Sequence, residues 1–506
     1  MEKIGGAMRE KILEWISGGN RLVGVGPMSQ NCIEAIYSYS HDHACVIELI
    51  ASRRQIEARK FGGGYVNNWS TEEFGAHLEK MKAKYPKSIV VVCRDHGGPW
   101  QGYNEEGLPF QEAMSRAKES FEADILAGFD LLHIDPSIDG DGNFELSRSI
   151  TAACELLSHC SKFAAAHKRK ILFEIGTEEN VGKATSSEVF EHGLKHIMVY
   201  CRQEKIEPPL FVVGQTGSLV KEMRQVGNFH LGGTKTLVAT ASKYGVFLKE
   251  HNADYLSEYQ LLQRDWARVP AINVAPEFGV IESRLFVDMC MSKGRYDLVE
   301  RFIALSIASG KWKKWLVDKS KTSDYDIGMI SGHYVFATPK FAEMKREIGE
   351  AEFDKAAKKA IYQRILEDEK MTEPNTDQEK PLNAGANISG IPLLPTSEKP
   401  WGTEVLLSSF PQYVMKSIRI TAGHRTSLQY HHQKYETLVF VSGTGIVHYL
   451  NKDNQMAQVD IVPGMVVEFS PRTPHRVQAT TELRYFEAST PEIPNDTVRI
   501  EDDYGR

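Results

Sequence analysis

Cysteine is scarce and scattered: there are seven residues, no two form a CxxC pair, and none follows Cys290. That usage speaks against a disulfide framework and is expected of a chain that folds in a reducing cytoplasm, with its thiols serving as small core residues. No apolar stretch approaches the roughly 20 residues a membrane span requires. The first residues, Met1-Glu-Lys-Ile-Gly-Gly6, lack the apolar centre of a secretory signal and run directly into an amphipathic helical pattern. Long basic blocks are missing too, and 60 Lys+Arg against 67 Asp+Glu leave a net charge of −7. Nucleic acid and anionic membrane are therefore not expected partners. No GxGxxG follows the first apolar run, which speaks against an open dinucleotide-binding sheet.

What the chain does have is alternation. Short apolar runs, at Arg21–Gly26, Ala44–Ile50, Ser88–Cys93, Asp130–Asp135, Lys170–Gly176, Leu210–Gln215, Gly245–His251 and Pro270–Val274, are separated by longer helical patterns. Phe110, Met114, Ala117, Phe121 and Ile125 fall on one helical face, with Gly128 where a C-terminal cap belongs. Ile150, Cys154, Leu157, Ser161 and Ala164 form a second such stripe. Eight buried strands alternating with helices predict an α/β fold of the (β/α)₈, or TIM-barrel, type. From about Glu282 to Met371 the pattern is helical and increasingly charged, so the barrel unit is expected to span 1–371 with a helical extension. Residues 372–397 shift to Pro, Asn, Gly and Ser, the composition of a linker. Residues 398–506 read as short alternating strands, among them Tyr413–Thr421, Tyr435–Val441 and Gly445–Leu450, and predict an all-β jelly-roll module.

In a βα barrel the working groups project from the C-terminal ends of several strands, so those ends are read together. They carry Glu48, Asp95 and His96, His133 and Asp135, Glu174 with Glu178 in its loop, Gln215, His251, and Asn273 with Glu277. Polar groups at that density on apolar strands are costly to bury unless a divalent ion or a polyhydroxylated substrate satisfies them. His96 and His251 are the expected metal ligands, for Zn²⁺ or Mn²⁺ with an open position. Asp95 and Glu178 are the candidate proton-transfer carboxylates, and Glu48, Asp135, Gln215 and Asn273 the candidate substrate-binding groups. His133 is read as a structural histidine. Lys249 shares a strand face with His251, where it could form a Schiff base with a ketose or an ion pair with Glu174 or Glu178.

The blocks Asp95-His-Gly-Gly-Pro99, Gly128-Phe-Asp-Leu-Leu-His133-Ile-Asp135-Pro-Ser137, Glu174-Ile-Gly-Thr-Glu178 and Glu250-His-Asn-Ala-Asp254-Tyr255 resemble the accessory subunit family of class II tagatose-bisphosphate aldolases. Members of that family are also implicated as 4-epimerases of ketose phosphates. More distantly, the barrel resembles the zinc-dependent class II fructose-bisphosphate aldolases. That resemblance implies proton transfer at Asp95, metal ligation at His96, Glu174 and His251, and a substrate contact at Asn273. Gln215 stands where those aldolases carry a zinc-binding histidine, and Pro276 where they carry a phosphate-holding residue.

The segment Gly423-His-Arg-Thr-Ser-Leu-Gln429-Tyr-His431-His-Gln433-Lys-Tyr-Glu436, then Gly443, Pro463-Gly464 and Pro471-Arg-Thr-Pro-His475, resembles the two cupin motifs. With Lys399-Pro-Trp-Gly402 and the terminal Arg499–Arg506 segment, it is similar to the type II mannose-6-phosphate isomerase domain. The resemblance implies a second metal set of His431, Gln433, Glu436 and His475. The combined expectation is a metal-dependent cytoplasmic carbohydrate enzyme acting on a ketose or ketose phosphate, by C4-type epimerisation or reversible aldol cleavage. Its expected partners are a small-molecule sugar or sugar phosphate, further copies of itself as a homo-oligomer, and a partner aldolase subunit. Two alternatives stand beside it, a non-catalytic accessory subunit and a cupin-based sugar-phosphate isomerase.

Overall fold

The computed structural model describes residues 4–138, 140, 145–176, 185–317, 322–369, 396–409, 413–451, 455–491 and 496–505. These form two compact units, Met1–Asn375 and Thr376–Arg506.

The first unit is a closed parallel barrel. Its strands are β1 (Leu22–Val25), β2 (Val46–Ser52), β3 (Ile89–Gly97), β4 (Leu131–Ile134), β5 (Leu172–Ile175), β6 (Phe211–Val213), β7 (Phe247–Glu250) and β8 (Ala271–Val274). Each pairs with its neighbours in sequence, and β8 closes on β1 with Leu22 opposite Ala271. Both faces of every strand are covered, which is why they read as apolar runs rather than alternating ones. The helix α1 (Ile4–Ser17) inserts Ile12 among Leu22, Val46, Val91, Leu131 and Leu172, which lie in the lower half of their strands, and so caps the N-terminal end of the barrel. The opposite mouth is left for chemistry.

The predicted helix over 110–125 forms as α4 in a chain order that continues α2 (Gln30–His43) and α3 (Thr71–Lys84); α4 spans Phe110–Ala127 and Gly128 caps it at φ 95°. In α5 (Leu146–Ala166) the buried face is rotated from the expected stripe: Ala153, Leu156 and Cys160 are buried, while Cys154 and Ser161 are only half-buried. The small residues that looked like part of the stripe lie at its edge, and the barrel shell takes the leucines and alanines instead.

After β8 the chain folds back as α6 (Pro276–Ser292), α7 (Tyr296–Ala308), α8 (Asp324–Ser331), α9 (Pro339–Ile348) and α10 (Glu350–Glu369). Phe286, Phe302, Phe341 and Phe353 pack together to give this extension its own core. Ile361 and Ile365 of α10 return to the main barrel core. Two 3₁₀ turns, Lys311–Trp315 and Gly332–Val335, are carried by these helices to the barrel mouth.

The second unit is two antiparallel sheets. One holds β9 (Thr396–Lys399), β10 (Gly402–Ser409), β11 (Val414–Ile420), β13 (Glu436–Ser442), β16 (Val466–Phe469) and β18 (Leu483–Ser489); the other holds β12 (Leu428–His431), β14 (Gly445–Leu450), β15 (Met456–Ile461), β17 (His475–Ala479) and β19 (Thr497–Glu501). Trp401, Ile418, Phe440, Val447 and Tyr485 fill the space between them. This is the jelly-roll arrangement that the alternating pattern predicts, and it agrees with the resemblance to a cupin. Residues 372–395 of the expected linker, and Glu178, lie outside the described residues. No helix of the described residues is long and apolar enough to cross a membrane.

Candidate active site

The third strand runs past Cys93, where its apolar run stops, to Gly97. Between the pairs Arg94↔Leu132 and Gly97↔Ile134 the register slips, so Asp95 and His96 together oppose His133. In a regular strand two consecutive side chains point to opposite faces. The bulge, with His96 in the left-handed region at φ 47°, lets both turn toward the same cavity. Arg94, which points the other way, is buried and anchors the strand through Asp124 and the carbonyls of Ala51 and Ile56.

Asp95, His96, His133 and His251 each bring one donor atom within 4.8 Å of the others. His133 was read as structural; its ring nevertheless joins the group, with Nδ1 accepting from the His96 amide at 3.2 Å and 3.6 Å from Asp95 Oδ1. The buried Nε2 of His133 has no hydrogen-bond partner, and Gly176 keeps the backbone clear beside it, since a Cβ there would lie 2.6 Å away. The outer nitrogens are held by carboxylates. His96 Nδ1 donates to Asp135 at 2.6 Å, and His251 Nε2 faces Glu174 Oε1 at 2.8 Å. Carboxylate-held imidazoles with free inner nitrogens beside a carboxylate suit a divalent ion such as Zn²⁺ or Mn²⁺.

Charge is tightly balanced here. Burial works against the Asp95 carboxylate, but His96, His133 and His251 hold it well below the usual range. Loss of hydration opposes the His96 imidazolium, yet Asp95 and then Asp135 lift it to about 9. Burial also opposes Asp135, which His96 pulls down to about 2. His251 is pushed down, mainly by burial.

Several expected roles move. Glu174, read as a ligand, has both oxygens engaged by Lys249 (2.7 Å) and His251, and so orients the cluster from below. Glu48, read as substrate-binding, is fully buried, accepts from Lys249 at 2.5 Å and does not line the cavity. Lys249 is thus an ammonium between two carboxylates, and against its burial Glu174 and Glu48 raise its pKa beyond the ordinary range. That cation occupies the space that Glu48, Cys93 and Glu174 could otherwise offer a metal. Asp135 holds His96 rather than the cavity, and Gln215, half-buried just past β6, does not line it either. Asn273 does: its amide is 3.3 Å from Asp95 and 3.1 Å from His251, and its Oδ1 is buried without a partner. Glu277 is tied to Arg364 and the Tyr255 amide.

The cavity over this group has a volume of about 250 Å³. Its floor includes Asp95, His96, His251 and Asn273, and its walls carry Tyr65, Tyr103, Trp315 and Tyr334. The extension supplies Lys311, Lys314, Trp315, His333 and Tyr334, none of which any strand-end pattern marks.

In the second unit His431, Glu436 and His475 converge in a cavity of about 210 Å³, with the two imidazole Nε2 atoms 3.2 and 3.1 Å from the Glu436 oxygens. Gln433 is turned to solvent and makes only a backbone contact to Asp496; the inward amide is Gln429, two positions before His431 on β12. Lys434 is buried in its place and donates to Glu487 at 2.8 Å, with its ammonium 2.9 Å from Glu436. Burial opposes the charge on Glu436, but His431, His475 and Lys434 hold it far below the carboxylate range. A resident ammonium therefore already neutralises the carboxylate at the centre of the expected metal set.

Comparison with known proteins agrees with both resemblances read from the sequence. The family model described as mannose-6-phosphate isomerase C-terminal matches residues 394–468. The D-tagatose-1,6-bisphosphate aldolase subunit GatZ of Klebsiella oxytoca is 24% identical over 276 residues, which cover 50% of this chain and 63% of that protein. The match thus spans less than two thirds of that relative. A probable tagatose 6 phosphate kinase from Sinorhizobium meliloti 1021 is similar in structure, with a TM-score of 0.55 and 16% identity over 69% of this chain and 98% of that one. That likeness shows the fold.

Proposed function

We propose that the barrel is the catalytic unit of a carbohydrate enzyme that holds a divalent metal and changes the stereochemistry of a ketose or ketose phosphate, by C4-type epimerisation or reversible aldol cleavage. The observation that carries this reading is the convergence of Asp95, His96, His133 and His251 on one cavity. The sugar class is supported by the aldolase-subunit relative and by the match of residues 394–468 to the mannose-6-phosphate isomerase C-terminal family model.

His96, His133 and His251 would hold the ion, with Asp95 beside them, and when bound it would act as a Lewis acid on a substrate carbonyl. Asp135 and Glu174 keep the two outer imidazoles in one tautomer and orientation. Asp95, ionised and at the cavity floor, accepts a proton from a substrate hydroxyl and returns it after the carbon centre has rearranged. Asn273, whose amide lies between Asp95 and His251, holds these two groups in place at the cavity floor. Glu178, three residues after Ile175 in the sequence, is the second carboxylate of this proposal.

Metal analysis of the wild type and of the His96→Ala and His251→Ala variants, each screened by NMR against ketoses and ketose phosphates, tests the reading. Both variants are expected to lose bound metal, with turnover falling by about 10²–10⁴. Full turnover after chelation, or in His96→Ala, would overturn it. The word "subunit" in the relative's name favours a second reading, a non-catalytic accessory role. It expects no turnover by the purified chain alone and a tight complex with a partner aldolase.

A further inference from the structure

We propose that Arg54, Lys311 and Lys314 form an anion subsite at the rim of the barrel cavity, which takes an acidic group, a phosphate monoester or a carboxylate, carried by the substrate. Only the sugar part of that substrate rests on the reading above; the subsite stands on its own geometry.

The three cations line the same cavity as Asp95, His96 and Asn273, so one small molecule can reach both ends. They come from distant parts of the chain: Arg54 just after β2, and the two lysines from the 3₁₀ turn Lys311–Trp315 of the helical extension. Two of them approach the Tyr103 ring, with Lys311 Nζ 4.3 Å and the Arg54 guanidinium carbon 5.9 Å from its centre. Lys314 Nζ is 4.5 Å from the Trp315 ring. Aromatic faces orient cations but do not neutralise them. Among the described residues none of the three is paired with a carboxylate, and Arg54 makes only a 3.4 Å contact to the Gln101 carbonyl. A fourth ammonium, Lys221, adds to the positive field from the Lys314 carbonyl, 2.8 Å away.

Gathering like charges without a counter-ion costs free energy. At Lys314 crowding by protein, and after it repulsion from Arg54 and Lys311, brings the ammonium down to about 8. Scattered surface lysines would relax apart or find acids. Here the acids of the cavity, Asp95 and Asp254, are engaged below, the latter with the amides of Ala275 and Glu277. A dianion matches three cations best, so a phosphate ester is the expected form.

Calorimetric titration of inorganic phosphate into the full chain tests the subsite, with thermal melting as the folding control. The Lys311→Met/Lys314→Met double variant is expected to bind phosphate at least tenfold more weakly than the wild type, and Arg54→Gln to follow it. His96→Ala is expected to bind phosphate like the wild type. Absent saturable binding, equal binding in the double variant, or loss of binding in His96→Ala would each overturn the proposal, the last because it would place the anion on the metal. A second arm compares fructose 6-phosphate, fructuronate and fructose. Preference for either acid over fructose, lost in the double variant, supports the subsite and identifies its acid; equal affinity for all three overturns it. Failure of the catalytic reading, seen as turnover surviving in Asp95→Asn, would leave phosphate binding intact.

Discussion

Lys249 and His333 show how far a single side chain's surroundings decide its chemistry. A lysine that forms a Schiff base must be neutral at working pH, which calls for desolvation without acidic neighbours. Lys249 has the desolvation, but Glu48 and Glu174 hold its proton. Borohydride in the presence of a ketose is therefore expected to leave Lys249 unlabelled by mass spectrometry. Lys249→Met strands two buried carboxylates and is expected to lower unfolding stability by ~3–5 kcal/mol, while Lys249→Met with Glu48→Gln recovers part of the loss. His333 is the opposite case. It is buried against Tyr65 and Tyr334, and burial, then Lys314, push it from 6.5 to about 3. A depressed folded pKa means the unfolded chain binds the proton first, so this contribution is complete above pH 6.5 and is lost as pH falls toward 3. Between about pH 6.5 and 4.5 the linkage amounts to ~2 kcal/mol. In His333→Gln the fall of melting temperature over that window is expected to be shallower than in the wild type; an unchanged slope would remove His333 from the account.

At the scale of elements, the bulge on β3 is what brings two adjacent side chains to one cavity. Its setting is close: a Cβ on Gly98 would meet the Asp135 carbonyl oxygen at 2.2 Å, a backbone atom that cannot step aside cheaply. Gly98→Ala is thus expected to displace Asp135, the residue that orients His96, and to weaken metal affinity about 10- to 100-fold as read by competition with a chelator. Unchanged affinity would mean that His96 needs no such support. The eight strands of the barrel were legible because strands buried on both faces cannot hide their apolar runs. The bulge was not, since pairing register has no local signature, and so the apolar run carries β3 only to Cys93 and His133 reads as a structural histidine. In the second unit a similar ambiguity separates Gln429 from Gln433: both lie two residues from His431, and only the strand boundary after His431 shows that Gln433 has left the alternation. The rim lysines were invisible for a different reason. They approach the mouth through the tertiary fold of the extension, which no spacing within the chain encodes.

The chain as a whole joins two units that each bury their own core, the barrel with its helical shell and the sandwich around Phe440 and Tyr485. Among the described residues, each sheet is built from strands of one unit. Units with separate cores and closed or self-paired sheets can fold independently, so we read residues 1–371 as a domain that stands alone. Two catalytic assignments can be told apart on that basis. With the chemistry at Asp95, His96, His133 and His251, the 1–371 fragment is expected to keep metal binding, phosphate binding and turnover of the same ketose within a fewfold of the full chain. With the chemistry at His431, Glu436 and His475, the fragment is expected to be inactive, and Glu436→Gln in the full chain to abolish turnover. The placement of Lys434 beside Glu436 favours the first outcome, since an ammonium there competes with any divalent ion for the same carboxylate. A folded fragment that binds metal yet turns nothing over, alongside an active full chain, would move catalysis to the second unit and leave the barrel as the sugar-binding partner.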